Sequence, residues 1–137
     1  MKPAAWGKGC AMDIRQMLVH FWADVAEQNA QGLKTYFLPD ALIRWHNTNE
    51  CFTVSEYIIA NCEYPGDWCG EVQRIELLCD GAVSVARVWP ADGGTSFHAT
   101  SFFKLQDGKI AALDEYWSED ETPPQWRLQK HLGKAIK

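Results

Sequence analysis

Nowhere does the chain run for the roughly 18 consecutive apolar residues that a membrane-crossing helix needs, so no membrane partner is expected. The opening Met-Lys-Pro-Ala-Ala-Trp-Gly-Lys-Gly-Cys carries charge but lacks the apolar core of a secretion signal. Basic residues are in the minority, 13 Lys and Arg against 18 Asp and Glu, a formal charge of −5. A general nucleic-acid binder would show the opposite balance. Cys-x-x-Cys spacing is missing, and no two histidines stand at metal-ligand spacing, so no metal site is expected. Walker loop, dinucleotide fingerprint and Gly-x-Ser-x-Gly elbow are absent as well, and no cofactor is expected. The five cysteines, Cys10, Cys51, Cys62, Cys69 and Cys79, are odd in number and lie in or beside apolar segments. They read as buried free thiols in a reducing, cytoplasmic compartment.

What is present is enough for one domain over residues 1–137. A chain of this length buries about two-thirds of its unfolded surface and needs no disulfide or metal to fold. Seven tryptophans are the strongest compositional signal. Such large flat side chains fill cores, line ligand pockets or mark interfaces.

Residues 1–11 read as a flexible lead. A helix is expected from Asp13 as N-cap, with Ile14, Met17, Leu18, Phe21, Trp22 and Val25 on one apolar face. Gly32 breaks it or begins a second short helix, whose apolar side is Leu33, Tyr36 and Phe37 and which Pro39 ends. A strand from Ala41 to His46 closes in the turn Asn47-Thr48-Asn49. Thr53-Val54-Ser55-Glu56 is a capping box opening a third helix. Four strands then follow, Glu71–Cys79, Ala82–Trp89, Thr95–Gln106 and Lys109–Trp117. Two Asp-Gly pairs separate members of this set and mark hairpins. Residues 119–137 read as a flexible or capping end. Helices followed by strands indicate an α+β fold, and four long meandering strands form a strongly curved antiparallel sheet with the helices on its concave side.

This order, with Pro39-Asp40 leading into the first strand and Asp107-Gly108-Lys109-Ile110 into the last, resembles the nuclear transport factor 2-like superfamily over about residues 13–118. Within it the chain looks most like SnoaL-like polyketide cyclases, ketosteroid isomerases and limonene epoxide hydrolases. The resemblance implies a cone-shaped barrel with a deep apolar cavity, often dimeric through the sheet, and hence a homodimer.

Alternation within the strands selects the candidate site. Ile43, Trp45 and Asn47 share one side of the first strand, and Leu113, Glu115 and Trp117 one side of the last. Phe97, Ala99, Ser101, Phe103 and Leu105 form the more apolar side of the third long strand. Arg87 and Trp89 share a side with Val83 and Val85. A buried guanidinium must be paired, and Glu115 is the expected partner, either as a structural ion pair or as the charged floor of a cavity. In that arrangement Arg87 would hold the Glu115 pKa down. The epoxide hydrolases carry Tyr-x-Asn, Arg-x-Asp and Asp-Tyr in corresponding strands. Here the matching positions are Trp45-x-Asn47, Arg87-x-Trp89 and Glu115-Tyr116. Trp89 stands where that family has its proton-donating aspartate, so the resemblance does not imply the epoxide-hydrolase reaction.

Two functions follow as expectations. The first is a cofactor-independent acid–base enzyme, an isomerase, cyclase, dehydratase or hydrolase, acting on a small apolar ring- or carbonyl-bearing substrate. Glu115 and Arg87 would be catalytic. Asn47, Tyr57 and Ser101 would supply polar contacts, and Trp45, Trp89 and Trp117 the walls, with Trp22 and Tyr36 reaching in from the helices. The second is a non-catalytic ligand-binding or dimeric adaptor module. Trp68 and Trp126, from loops, would cover the mouth or mark an interface.

Overall fold

The computed structural model describes residues 11–137. Helix α1 (Ala11–Glu27) opens two residues before the expected cap, so Asp13 lies inside its first turn. The remainder of the expected flexible lead, residues 1–10, lies outside the described residues. Met17, Leu18, Phe21, Trp22 and Val25 recur at helical spacing and are all buried. Gln28, at φ 57°, breaks the helix in the left-handed region. Asn29 then caps the short α2 (Ala30–Lys34) by accepting from the Gly32 amide.

Strand β1 (Phe37–Trp45) begins earlier than expected and contains Pro39 rather than following it. Pairing with the neighbouring strand is irregular between Phe37 and Leu42, so the missing proline N–H removes no regular ladder bond there. A turn through Asn49, at φ 59°, leads to β2 (Glu50–Thr53), a strand the sequence did not announce. Only Glu50, Cys51 and Phe52 separate that turn from the capping box, too few to show a period. Helix α3 (Val54–Cys62) opens as expected: Thr53 Oγ1 accepts from the Glu56 amide, and the Glu56 carboxylate accepts from the Thr53 amide at 2.9 Å.

The long strands follow: β3 (Trp68–Leu78), β4 (Gly81–Pro90), β5 (Phe97–Gln106) and β6 (Lys109–Glu119). The six strands form one curved sheet in the order β2-β1-β6-β5-β4-β3. It is open, with β2 and β3 as its edges. One joint departs from the expected antiparallel pattern, since β1 runs parallel to β6. No hairpin links these two strands, so nothing local dictates their relative direction. Helix α1 crosses the concave face and packs on β3. Trp22 Nε1 donates to the buried Ser84 Oγ at 3.0 Å, tying helix to sheet.

After Glu119 the chain forms only the short α4 (Gln125–Gln129), with no buried residue and Trp126 58% exposed. No helix among the described residues is long and apolar enough to cross a membrane. The cysteines correct an expectation: Cys51 and Cys79 are exposed, while Cys62 and Cys69 are half-buried. An adjacent apolar segment in the sequence does not bury a residue at a hairpin end.

Candidate functional site

Sheet register assembles the polar centre of the concave face. Glu115, on β6, stands between Trp45 of β1 and Ser101 of β5, its paired residues on either side. Trp45 Nε1 donates to Glu115 Oε1 at 3.0 Å, and Ser101 Oγ donates to Oε2 at 2.7 Å. The carboxyl group is only 1% exposed. Burial pushes its pKa up, and the donors Ser101, Trp45 and Trp117 pull part of the way back. The Trp117 indole N–H is itself buried and completes no hydrogen bond of ordinary geometry. Tyr57, fully buried on α3, packs with its ring centre 6.2 Å from that of Trp45. Burial, and then the Glu115 charge, push its hydroxyl pKa well up.

In front of this centre lies a cavity of about 280 Å³. Trp45 and Trp117, ring centres 6.4 Å apart, form one wall. Trp68 and Phe97, 6.1 Å apart, belong to another, and Tyr64 packs on Trp68 at 5.6 Å. Val25 and Val88 add aliphatic surface. The polar lining comes from uncharged side chains: Gln28, Asn47, Thr48, Asn61 and the Tyr64 hydroxyl. Thr48 and Tyr64 are exposed, so the cavity opens to solvent on their side. Two amides hold that end together. Gln28 Nε2 donates to the Asn61 and Tyr64 carbonyls at 3.0 and 2.7 Å, and Asn61 Nδ2 donates to the Val25 carbonyl at 3.1 Å. Asn47 Oδ1 accepts from the Trp117 amide, which links the β1 turn to β6.

Of the residues singled out from sequence, Trp45, Asn47 and Trp117 line the cavity. Glu115, Ser101 and Tyr57 lie together behind its wall. Trp22 is buried beside Trp117 at 6.1 Å, and Tyr36 donates its hydroxyl to Asp24, away from the cavity. Arg87 and Trp89 are on the opposite face of the sheet. The expected pairing of Arg87 with Glu115 does not form. Arg87 instead meets Asp120 at 3.6 Å, and its guanidinium lies 4.8 Å from the centre of the Trp89 ring. The reason is the packing of β4. Ala82, Ser84, Ala86 and Val88 point inward, and the alternate set therefore points out. Because both sets are largely uncharged, composition could not tell the two faces apart. The expected downward pull of Arg87 on Glu115 is absent too, and burial moves that pKa the other way.

The outer face carries its own polar groups. Asp120 accepts from Ser96 and from His98, and His98 also contacts Gln73 at 3.0 Å. Burial pulls the Asp120 pKa up, but those two hydrogen bonds and the charges of His98 and Arg87 outweigh it and lower it. His46 meets Asp114 at 2.8 Å and stacks on Tyr116, ring centres 4.3 Å apart. Sequence reading passed over Gln28, Tyr64 and Phe97 as site residues. Their signal is weak, because each reaches the cavity from an element end or a loop. Trp68, flagged as a cover for the mouth, does line the cavity.

No protein-family model matches the chain, and no curated protein does. Solved structures do match. A provisionally named ketosteroid isomerase from Kribbella flavida DSM 17836 is 21% identical at a TM-score of 0.74, over 92% of this chain and 91% of its own. A nuclear transport factor 2-like protein of unknown function from Burkholderia xenovorans LB400 is 20% identical at 0.74, over 92% and 97%. A protein with a ketosteroid isomerase-like fold from Catenulispora acidiphila DSM 44928, in complex with trimethylamine, is 14% identical at 0.64, over 74% and 85%. Structures named as a SnoaL-like polyketide cyclase and as an epoxide hydrolase share the architecture. With its curved six-stranded sheet and its helices on the concave side, this chain has the nuclear transport factor 2-like fold.

Proposed function

We propose that the chain binds a small, largely apolar molecule in the concave cavity. The observation that carries this reading is the cavity itself: about 280 Å³ of space walled by Trp45, Trp68, Phe97 and Trp117. That volume approaches the lower end of ordinary ligand sites, at about 300 Å³. The tryptophans on the concave face therefore do not plug the cone. The Catenulispora acidiphila complex supports the reading, as a protein of this fold holding a small organic molecule.

The test is a thermal-shift and tryptophan-fluorescence screen with cyclic ketones, aromatic alcohols and small alkylamines. It is run on the wild-type chain and on Ala60→Phe, which would fill the cavity from α3. A ligand at 100 times its Kd raises stability by about 2.7 kcal/mol. Hits that disappear in Ala60→Phe support the cavity as the site. A blank screen, or hits that survive the substitution, would overturn it.

A catalytic reading has one observation in its favour, the upward push that burial gives the Glu115 pKa, which is the direction a general base requires. Turnover abolished by Glu115→Gln, with the fold retained, would establish it. The homodimer implied by the resemblance finds support on the outer face, where Leu42, Phe102 and Tyr116 are exposed. Phe102 and Tyr116 form an edge-on pair 6.1 Å apart. Light scattering on the wild-type chain and on Phe102→Glu tests that assembly.

A further inference from the structure

We propose that the cavity takes a tertiary or quaternary alkylammonium group, with the Glu115 carboxylate behind its wall as the counter-charge. This rests on reading the cavity as a ligand site. Five aromatic residues, Trp45, Tyr64, Trp68, Phe97 and Trp117, line one small space. Aromatic faces carry negative potential, and an alkylated cation enclosed by several of them is attracted without needing hydrogen bonds. The chain also polarises one of these rings. Trp45 donates its indole N–H to Glu115 at 3.0 Å, and the Trp117 N–H, without a hydrogen-bond partner of its own, is buried in the same wall. Donation to an anion draws electron density toward the ring face, because hydrogen-bonded groups polarise one another.

Glu115 is buried with two neutral donors bonded to it, Trp45 and Ser101, and no cationic side chain in contact among the described residues. Burial favours the neutral acid, so an alkylammonium entering the cavity would stabilise the ionised form and draw a proton off Glu115. Among the described residues neither Lys, Arg nor His lines the cavity, so none of them repels an incoming cation. A primary ammonium would have to give up three strong hydrogen bonds to water, and the apolar walls offer too little in return. A trialkylated or tetraalkylated nitrogen gives up far less.

The test compares choline with 3,3-dimethyl-1-butanol, its neutral isostere, by calorimetric titration and tryptophan fluorescence at neutral pH. Choline is expected to bind about tenfold tighter or more. Glu115→Gln should erase most of that preference, weakening choline far more than the isostere. Trp68→Leu removes a wall that does not touch Glu115. It should weaken choline more than the isostere, and it keeps the test informative if the Glu115 variant fails to fold. Equal or tighter binding of the isostere would overturn the cation preference and leave the ligand site standing. Binding of neither, alongside a blank screen, would overturn both.

Discussion

Replacing Ser101 by alanine isolates one bond to the buried carboxyl group. The side chains differ by a single oxygen, so almost no cavity forms, and what is lost is the 2.7 Å hydrogen bond to Glu115 Oε2. The cost depends on the charge of the acceptor. To a neutral carboxyl group such a bond contributes about 1 kcal/mol, and to an ionised one about 1.5–3 kcal/mol. Glu115 has a folded-state pKa above its ordinary 4.5. Its contribution to stability is therefore complete at lower pH, and it is lost as pH rises from there through the folded pKa. Ser101 favours the ionised form, so removing it raises that pKa further and deepens the loss. Each added unit is worth about 1.4 kcal/mol. The gap between wild type and Ser101→Ala should thus widen by about 1–2 kcal/mol between acid and mildly alkaline pH. In Tm this is about 3–8 °C for a chain of this size. Urea titrations at a series of pH values measure the gap, and effects of other ionisable groups cancel in the difference. A gap that stays constant across the series would refute the reasoning, because Glu115 would then not change its ionisation in the fold.

Glu115→Gln should remove the decline in stability that Glu115 imposes as pH rises above 4.5, so its stability relative to wild type should improve toward neutral pH in the same titrations. Arg87→Ala should leave ligand titrations of the cavity unchanged and shift stability by less than about 1 kcal/mol, since its partner Asp120 lies on the half-exposed outer face. Loss of ligand binding in that variant would return Arg87 to the site. Gly81→Ala should destabilise by about 3 kcal/mol or more, seen as a large drop in Tm. A Cβ there would sit 1.8 Å from the Phe103 carbonyl oxygen, so the β4–β5 ladder would have to part. A near-normal Tm would show that the ladder yields easily.

Much of the fold could be read from local signals. Helical spacing of Met17, Phe21, Trp22 and Val25 marked the buried stripe of α1. The Thr53–Glu56 box marked the start of α3, and Asp-Gly turns bounded the long strands. Alternation placed Trp45, Ser101, Glu115 and Trp117 on one side of their strands, and they do share the concave face. The method failed at β4, where Ala82, Ser84, Ala86 and Val88 compete with Val83, Val85, Arg87 and Trp89. Neither set is clearly the more buried by composition. The inward set is small because α1 lies close above it, a fact about the helix rather than the strand.

Local periodicity was enough to mark α1, α3 and the four long strands, and to sort the side chains of each strand into two faces, because both follow from contacts between near neighbours in the chain; β2 and the start of β1 were too short or irregular to show a period. Only the tertiary structure decided which face is inside, that β1 lies parallel beside β6, and that Trp45 and Ser101 close on Glu115 from two different strands. Those outcomes depend on residues 14 and 70 positions from Glu115 meeting across a sheet, and no local period encodes such a meeting.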